Sequence, residues 1–188
     1  MRKFLMPITV LVIFVAILLV LVIGISNAPR EGRKDIVSPL LGKAAPEFTL
    51  PKLLETGERY DGKSLQGGWH LVNVWGTWCG ECRAEHAMLL QIKAEGRVPI
   101  VGIDWKDEDA SATAWLSQLG NPYETVVTDH SGRAAIDWGV YGAPESFLVD
   151  PHGIVVEKQI GAMTPEVWQT EFLPHLQARA AAGAKAGA

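Results

Sequence analysis

Residues 4–25 carry no charge, and within them Ile8 to Ile25 is almost wholly aliphatic, apart from Thr9, Phe14 and Gly24. A run of that length matches the roughly 20 residues that a helix needs to cross a hydrocarbon layer. From Leu41 onward the pattern changes to short apolar runs separated by polar, helix-period stretches. Glu47–Leu50 reads as a short strand or extended entry, followed by a turn-rich stretch to Gly68. His70–Val74 is a buried, β-branched strand, and a helix is predicted from Cys79 to Ala94, closed by Gly96. Val98–Trp105 is the next apolar strand. Asp107–Leu119 is a helix with acidic residues in its first turn, ended by Gly120. Glu124–Thr128 reads as a strand and Arg133–Trp138 as a short helix. Ser146–Asp150 and Ile154–Ile160 flank the turn signal Asp150-Pro151-His152-Gly153 and form a hairpin. Thr164 caps the last helix, with Pro165 at its first position. The order βαβ, strand, helix, hairpin, helix predicts an α/β domain: a mixed central sheet with helices on both faces.

The domain plan follows from these shifts. Residues 1–28 form an N-terminal anchor, 29–40 a polar linker, 41–177 one globular domain and 178–188 an Ala/Gly tail. Arg2 and Lys3 keep the N-terminal end on the cytoplasmic side, so the domain is exported. A cleaved signal peptide is the alternative, with Ser26-Asn27-Ala28 as a small-residue cleavage site; the apolar run is longer than a signal core, which favours an uncleaved anchor. The expected location is the inner membrane, single-pass, with the domain facing the periplasm. Net charge is -4, with 17 basic against 21 acidic residues and no basic stripe, so nucleic acid is not an expected partner.

The chain has two cysteines, Cys79 and Cys82, three residues apart where a strand gives way to a helix. On a helix these positions share one face, a spacing that suits a disulfide able to open and close without moving the backbone. Cys79, at the helix N-terminus, is placed to stabilise a thiolate and is the attacking residue; Cys82, one turn in, resolves. A C-x-x-C in this βαβ context indicates a thioredoxin-like fold. The rival readings are weaker. A structural i,i+3 disulfide closes too small a loop to stabilise much. Zinc through Cys79, Cys82 and His86 lacks a fourth ligand. Haem attachment needs His where Arg83 stands. No cofactor beyond the Cys79–Cys82 disulfide and no metal is expected.

Residues around the pair carry further expectations. Glu81 places a carboxylate beside the dithiol, which disfavours the thiolate and makes the site a better reductant. Trp75 is core, whereas Trp78 shields the disulfide and leaves an apolar rim for a partner. Glu85 falls one turn below Cys82 on what reads as a solvated helix face, and His86 reads as a surface histidine. Asp104 is either a partly buried acid that shuttles protons or a strand cap. Ala143-Pro144-Glu145 enters the hairpin, and Pro144 is either cis, facing an extended substrate strand, or an ordinary loop proline.

The segments Trp78–His86, Val101–Asp107, Leu119–Tyr123 and Gly139–Asp150 closely resemble the CcmG/DsbE family, membrane-anchored thioredoxin-like proteins of cytochrome c maturation. The resemblance covers about Leu41 to Leu176. It implies a periplasmic reductant of the disulfide in the haem-binding C-x-x-C-H of apocytochrome c, acting directly or through a partner thiol protein. Electrons would come from a membrane donor of the DsbD or CcdA type. It also implies a cis Pro144 lying against Cys79, an acidic region near the dithiol built by Glu85 and Glu145, and a groove bordered by Tyr141 and Trp105. Gly80-Glu81 departs from the family's frequent proline after the first cysteine. The other readings are an envelope reductase for other targets, such as oxidase assembly, and a module that binds apocytochrome with turnover secondary. A peroxiredoxin-type peroxidase is disfavoured because both cysteines lie on one helix.

Overall fold

The computed structural model describes residues 2–26 and 38–178, with side chains in the first segment at Leu11 and 13–24. The chain divides into two units, Met1–Ile36 and Val37–Ala188. The first holds helix α1, Arg2–Ser26, of 25 residues. Its described side chains are exposed and apolar. Among the described residues no helix is long and apolar enough to cross a membrane. The linker and tail expected at 29–40 and 178–188, and the Ser26-Asn27-Ala28 site, lie almost wholly outside the described residues.

The second unit is built on a mixed five-stranded sheet of β3 (His70–Trp75), β4 (Ile100–Trp105), β5 (Thr125–Asp129), β6 (Glu145–Val149) and β7 (Val155–Ile160), in the order β5-β4-β3-β6-β7. β3, β4 and β5 are parallel neighbours, whereas β6 and β7 run antiparallel. A two-stranded antiparallel ribbon, β1 (Thr49–Pro51) with β2 (Arg59–Asp61), precedes it. β2 was not predicted: three residues, only one of them apolar, carry no readable period, and their pairing with Thr49–Pro51 defines the strand. Helices α2 (Gly80–Glu95), α3 (Asp109–Leu119), α4 (Arg133–Asp137) and α5 (Pro165–Val167) follow the predicted order. α5 continues through a π-helical turn, Trp168–Phe172, into a last helical stretch at 173–178.

The sheet separates two cores. On one face Leu71, Trp75, Ile100 and Leu148 meet α2, α3 and the terminal helix through Leu89, Ile92, Leu116, Trp168 and Phe172. On the other, Val72, Val74, Ile103 and Phe147 meet α4, Trp138, Phe48 and Leu65. The alternation of a strand puts Asn73, paired with Gly102 and Ser146, on the same face as α2. Thr164 caps α5 by accepting the Val167 N–H, with Pro165 following, as the sequence predicts. The hairpin turn is held by Asp150, whose Oδ1 accepts the N–H groups of His152 and Ile154 at 2.9 Å.

α2 and α3 start later than predicted. Cys79 is the N-cap of α2, not its first residue: its Sγ accepts the Cys82 N–H at 3.0 Å. α3 begins at Asp109 with Glu108 as N-cap, and the Asp107 carboxylate before it accepts both the Glu108 N–H and the hydroxyl hydrogen of Thr77, in the turn before Cys79.

Gly102 allows Tyr123 to lie against the sheet, since a Cβ there would sit 2.8 Å from the tyrosine ring. Gly102→Ala should therefore cost about 1–3 kcal/mol, read as a lower urea midpoint; an unchanged midpoint would contradict this close packing.

Candidate active site

The β3–α2 turn delivers Cys79 and Cys82 as a disulfide with Cα atoms 5.3 Å apart. Both are buried, at 5 % and 3 % exposure, while Trp78 beside them is 54 % exposed. Trp78 is held in place by Trp105. Its Nε1–H donates to the Trp105 carbonyl at 3.1 Å and its ring meets Trp105 edge-on at 5.6 Å. Trp75 is buried in the core and stacks on Tyr123, as expected. Gly80 and Glu81 occupy the first turn of α2, with Glu81 near the positive end of the helix dipole.

Glu85 overturns the reading of a solvated helix face. It is 1 % exposed. Oε1 accepts the Asn73 Nδ2–H at 2.9 Å and Oε2 accepts the Met163 N–H at 2.7 Å. Burial raises its pKa to about 7; the hydrogen bonds from Met163 and Asn73, which lower it, do not offset that, and the Glu81 charge adds to the rise. Asn73 also donates to Ser146 Oγ at 3.0 Å and accepts from the Tyr123 hydroxyl at 2.9 Å. A polar network thus lies beneath the dithiol helix. The one sequence signal for it was an asparagine inside the apolar run Leu71–Trp75.

His86 is not a surface histidine. It is buried, Nε2–H donates to the Gly120 carbonyl at 3.0 Å, and Nδ1 accepts the Trp115 indole N–H at 3.3 Å. Those bonds assign the neutral Nε2–H tautomer and occupy both ring nitrogens. The amphipathic period of α2 failed here because α3, through Trp115, covers the face that would otherwise meet water. Arg83 spreads its guanidinium over the same indole, 4.3 Å from the ring centre.

Asp104 is not a strand cap. It sits within β4, paired with Trp75 on one side and Thr128 on the other, 1 % exposed, and neither carboxyl oxygen has a hydrogen-bond partner. Burial first, then the charges of Asp107 and Asp109, raises its pKa to about 8. Its register neighbour Trp75 lies in the same core as both cysteines.

The acidic region expected from Glu85 and Glu145 is divided by the sheet. Glu145 pairs with Val74, which faces the opposite core. It is fully buried in an ion pair with Lys158 at 2.8 Å, and Oε1 accepts the Tyr141 and Gly142 N–H groups at 2.8 and 3.3 Å. The Lys158 ammonium lies 4.9 Å from the centre of the Tyr141 ring. Glu145 therefore shapes the 141–144 loop with its charge compensated. The Ala143–Pro144 peptide is cis, as the resemblance implies; Ala143 packs against the core that holds the cysteines, and Tyr141 is 63 % exposed. Among the described residues no cluster of three or more His, Cys, Asp or Glu could hold a metal.

Comparison with known proteins gives a consistent result. The Redoxin family matches residues 40–172. The thiol:disulfide interchange protein DsbE of Allochromatium vinosum is 43 % identical over 162 residues, covering 86 % of this chain and 87 % of the relative. DsbE of Escherichia coli K12 is 42 % identical over 166 residues, covering 87 % and 89 %. The structure of a secreted Mycobacterium tuberculosis disulfide oxidoreductase homologous to E. coli DsbE superimposes with a TM-score of 0.57 at 27 % identity, covering 70 % of this chain and 95 % of that one.

Glu85 binds its proton more tightly in the folded protein than in the unfolded chain, where the ordinary value is 4.5. The native state is thus favoured most below that value, and stability declines as pH rises toward about 7. A shift of this size corresponds to on the order of 3 kcal/mol. Glu85→Gln should flatten that part of the pH–stability curve of the oxidised protein, leaving the decline due to Asp104. Equal slopes for variant and wild type in urea titrations would contradict the assignment.

Proposed function

The chain belongs to the Redoxin family as a DsbE-type thiol:disulfide interchange protein, a thiol-disulfide oxidoreductase, and we propose that it reduces the disulfide in the haem-binding C-x-x-C-H of apocytochrome c during cytochrome c maturation. The observation that carries this reading is a C-x-x-C disulfide at a helix N-terminus with a buried carboxyl one turn below it. That carboxyl, Glu85, has a pKa of about 7, near an operating pH.

In the reduced protein the Cys79 thiolate attacks one sulfur of the substrate disulfide. A mixed disulfide forms and the other substrate sulfur leaves as a thiolate, which takes a proton. Cys82 then gives up its proton and attacks the Cys79 sulfur, releasing the second substrate thiol and leaving Cys79–Cys82 oxidised. Glu85, three residues after Cys82 and held by Asn73 and Met163, is the acceptor we assign to the Cys82 proton. Glu81, in the same turn, disfavours a stable thiolate and biases the site toward reduction of its partner. Two electrons and two protons pass to the substrate in each cycle. A membrane donor of the DsbD or CcdA type restores the dithiol, and the site needs no cofactor beyond its own disulfide.

Trp78 and the 141–145 loop are the surfaces we assign to substrate contact. Each is held by an anchor: the Trp105 carbonyl for Trp78, and buried Glu145 for the loop. We place the domain on the periplasmic side of the inner membrane, held by the apolar N-terminal segment with Arg2 and Lys3 on the cytoplasmic side. In that oxidising compartment a dithiol persists only while a donor reduces it.

Cys82→Ser should arrest the cycle at the mixed disulfide. Expressed in cells making c-type cytochromes, the full chain should accumulate a species linked through Cys79 to an apocytochrome c or to its partner thiol protein, seen on non-reducing gels and absent from Cys79→Ser/Cys82→Ser. Normal cytochrome c assembly supported by the double variant under oxidising conditions would overturn the reductase reading in favour of a binding module.

A further inference from the structure

The turn that presents Cys79, residues 76–78, is held from outside itself. Asp107 Oδ2 accepts the Thr77 backbone N–H, and Oδ1 accepts the Thr77 hydroxyl hydrogen at 2.9 Å. One residue further along, Trp78 is bonded to the Trp105 carbonyl. Trp105 ends β4, the parallel neighbour of β3, and Asp107 lies in the turn that follows it. That turn is itself fixed. Lys106 has a left-handed backbone, φ 51°, uncommon for a residue with a side chain, and its N–H donates to the Asp129 carbonyl at the end of β5 at 3.1 Å. Asp107 Oδ1 also accepts the N–H of Glu108 at 2.8 Å, the N-cap residue of α3, so one carboxylate joins the start of that helix to the turn before Cys79.

This arrangement ties a half-exposed turn that forms no sheet or helix of its own to the start of α3. Holding Thr77 by two donors fixes both the backbone and the side chain two residues before the attacking sulfur. Disulfide exchange requires the three sulfurs to align, so a drifting turn would lower the rate of attack without changing the thiol itself. We propose that Asp107 is a positioning residue for the exchange reaction, its grip on Thr77 setting the direction from which Cys79 meets an incoming disulfide. This rests on the exchange chemistry alone and is independent of which protein is the substrate.

The test compares two reactions of the reduced full-length protein: attack on a disulfide-closed C-x-x-C peptide, which needs alignment, and alkylation of Cys79 by iodoacetamide, which needs only the thiolate. Asp107→Ala should slow peptide reduction by about tenfold or more while alkylation stays within about twofold of wild type at the same pH. Thr77→Val, which keeps the backbone donor and loses the hydroxyl, should slow peptide reduction by about two- to tenfold, and Thr77→Ser, which keeps both donors, should restore it. Peptide reduction by Asp107→Ala within about twofold of wild type would overturn the proposal. So would a parallel change in both reactions, which would make Asp107 a tuner of the thiolate. Should Asp107→Ala fail to fold by circular dichroism, the Thr77 pair decides: equal peptide rates for Val and Ser overturn it.

Discussion

Asn73, in the middle of the central strand, is the polar group that the arrangement around the dithiol depends on. A buried amide must satisfy its donors and acceptor or cost free energy. Here it does so by bonding Glu85 of α2, Ser146 of β6 and the Tyr123 hydroxyl ahead of β5. The three partners come from three elements, so meeting the demands of one side chain fixes how the dithiol helix sits on the sheet. Tyr123 reaches Asn73 only because Gly102 leaves it room. Its ring then supports Trp75, the last residue of β3 before the dithiol turn.

Three buried carboxyl groups near this turn differ because their neighbours differ. Glu145 lies against Lys158 and two backbone donors, so its charge is compensated and it organises a loop. Glu85 has two hydrogen-bond donors and no cation within its network, which leaves burial to raise its pKa to about 7. Asp104 has no hydrogen-bond partner and two acidic neighbours, and stands higher, at about 8. Carboxyl groups are thus separated into a loop-organising ion-pair partner, Glu145, and two acids whose proton affinity burial raises, Glu85 and Asp104. The opposite faces of the sheet keep the first apart from Glu85.

Local rules carried the fold far. β-branched runs marked the buried strands, Gly96 and Gly120 closed helices, and Thr164-Pro165 opened the last one. These signals are short-range, so reading them requires no knowledge of what packs where. The same rules failed at Glu85 and His86, which on an isolated helix belong to a face that would meet water. α3 and the Met163 segment cover that face in the folded protein, and a pattern within α2 cannot report a neighbour that arrives from another part of the chain. β2 was missed for a related reason, since a three-residue strand exists only through its partner.

The sequence by itself determined the chemistry: two cysteines in C-x-x-C spacing after a buried strand, in an α/β pattern whose motifs match one family. That information is local because a thiol, a turn and a helix start are properties of contiguous residues. Tertiary structure alone decided the environment of that chemistry. It buried Glu85, left the Asp104 carboxyl without a hydrogen bond inside β4, paired Glu145 with Lys158, and brought Asp107 against Thr77. Each of these depends on solvation and on contacts between residues distant in sequence, and the energy of a charged group is set by what surrounds it in space.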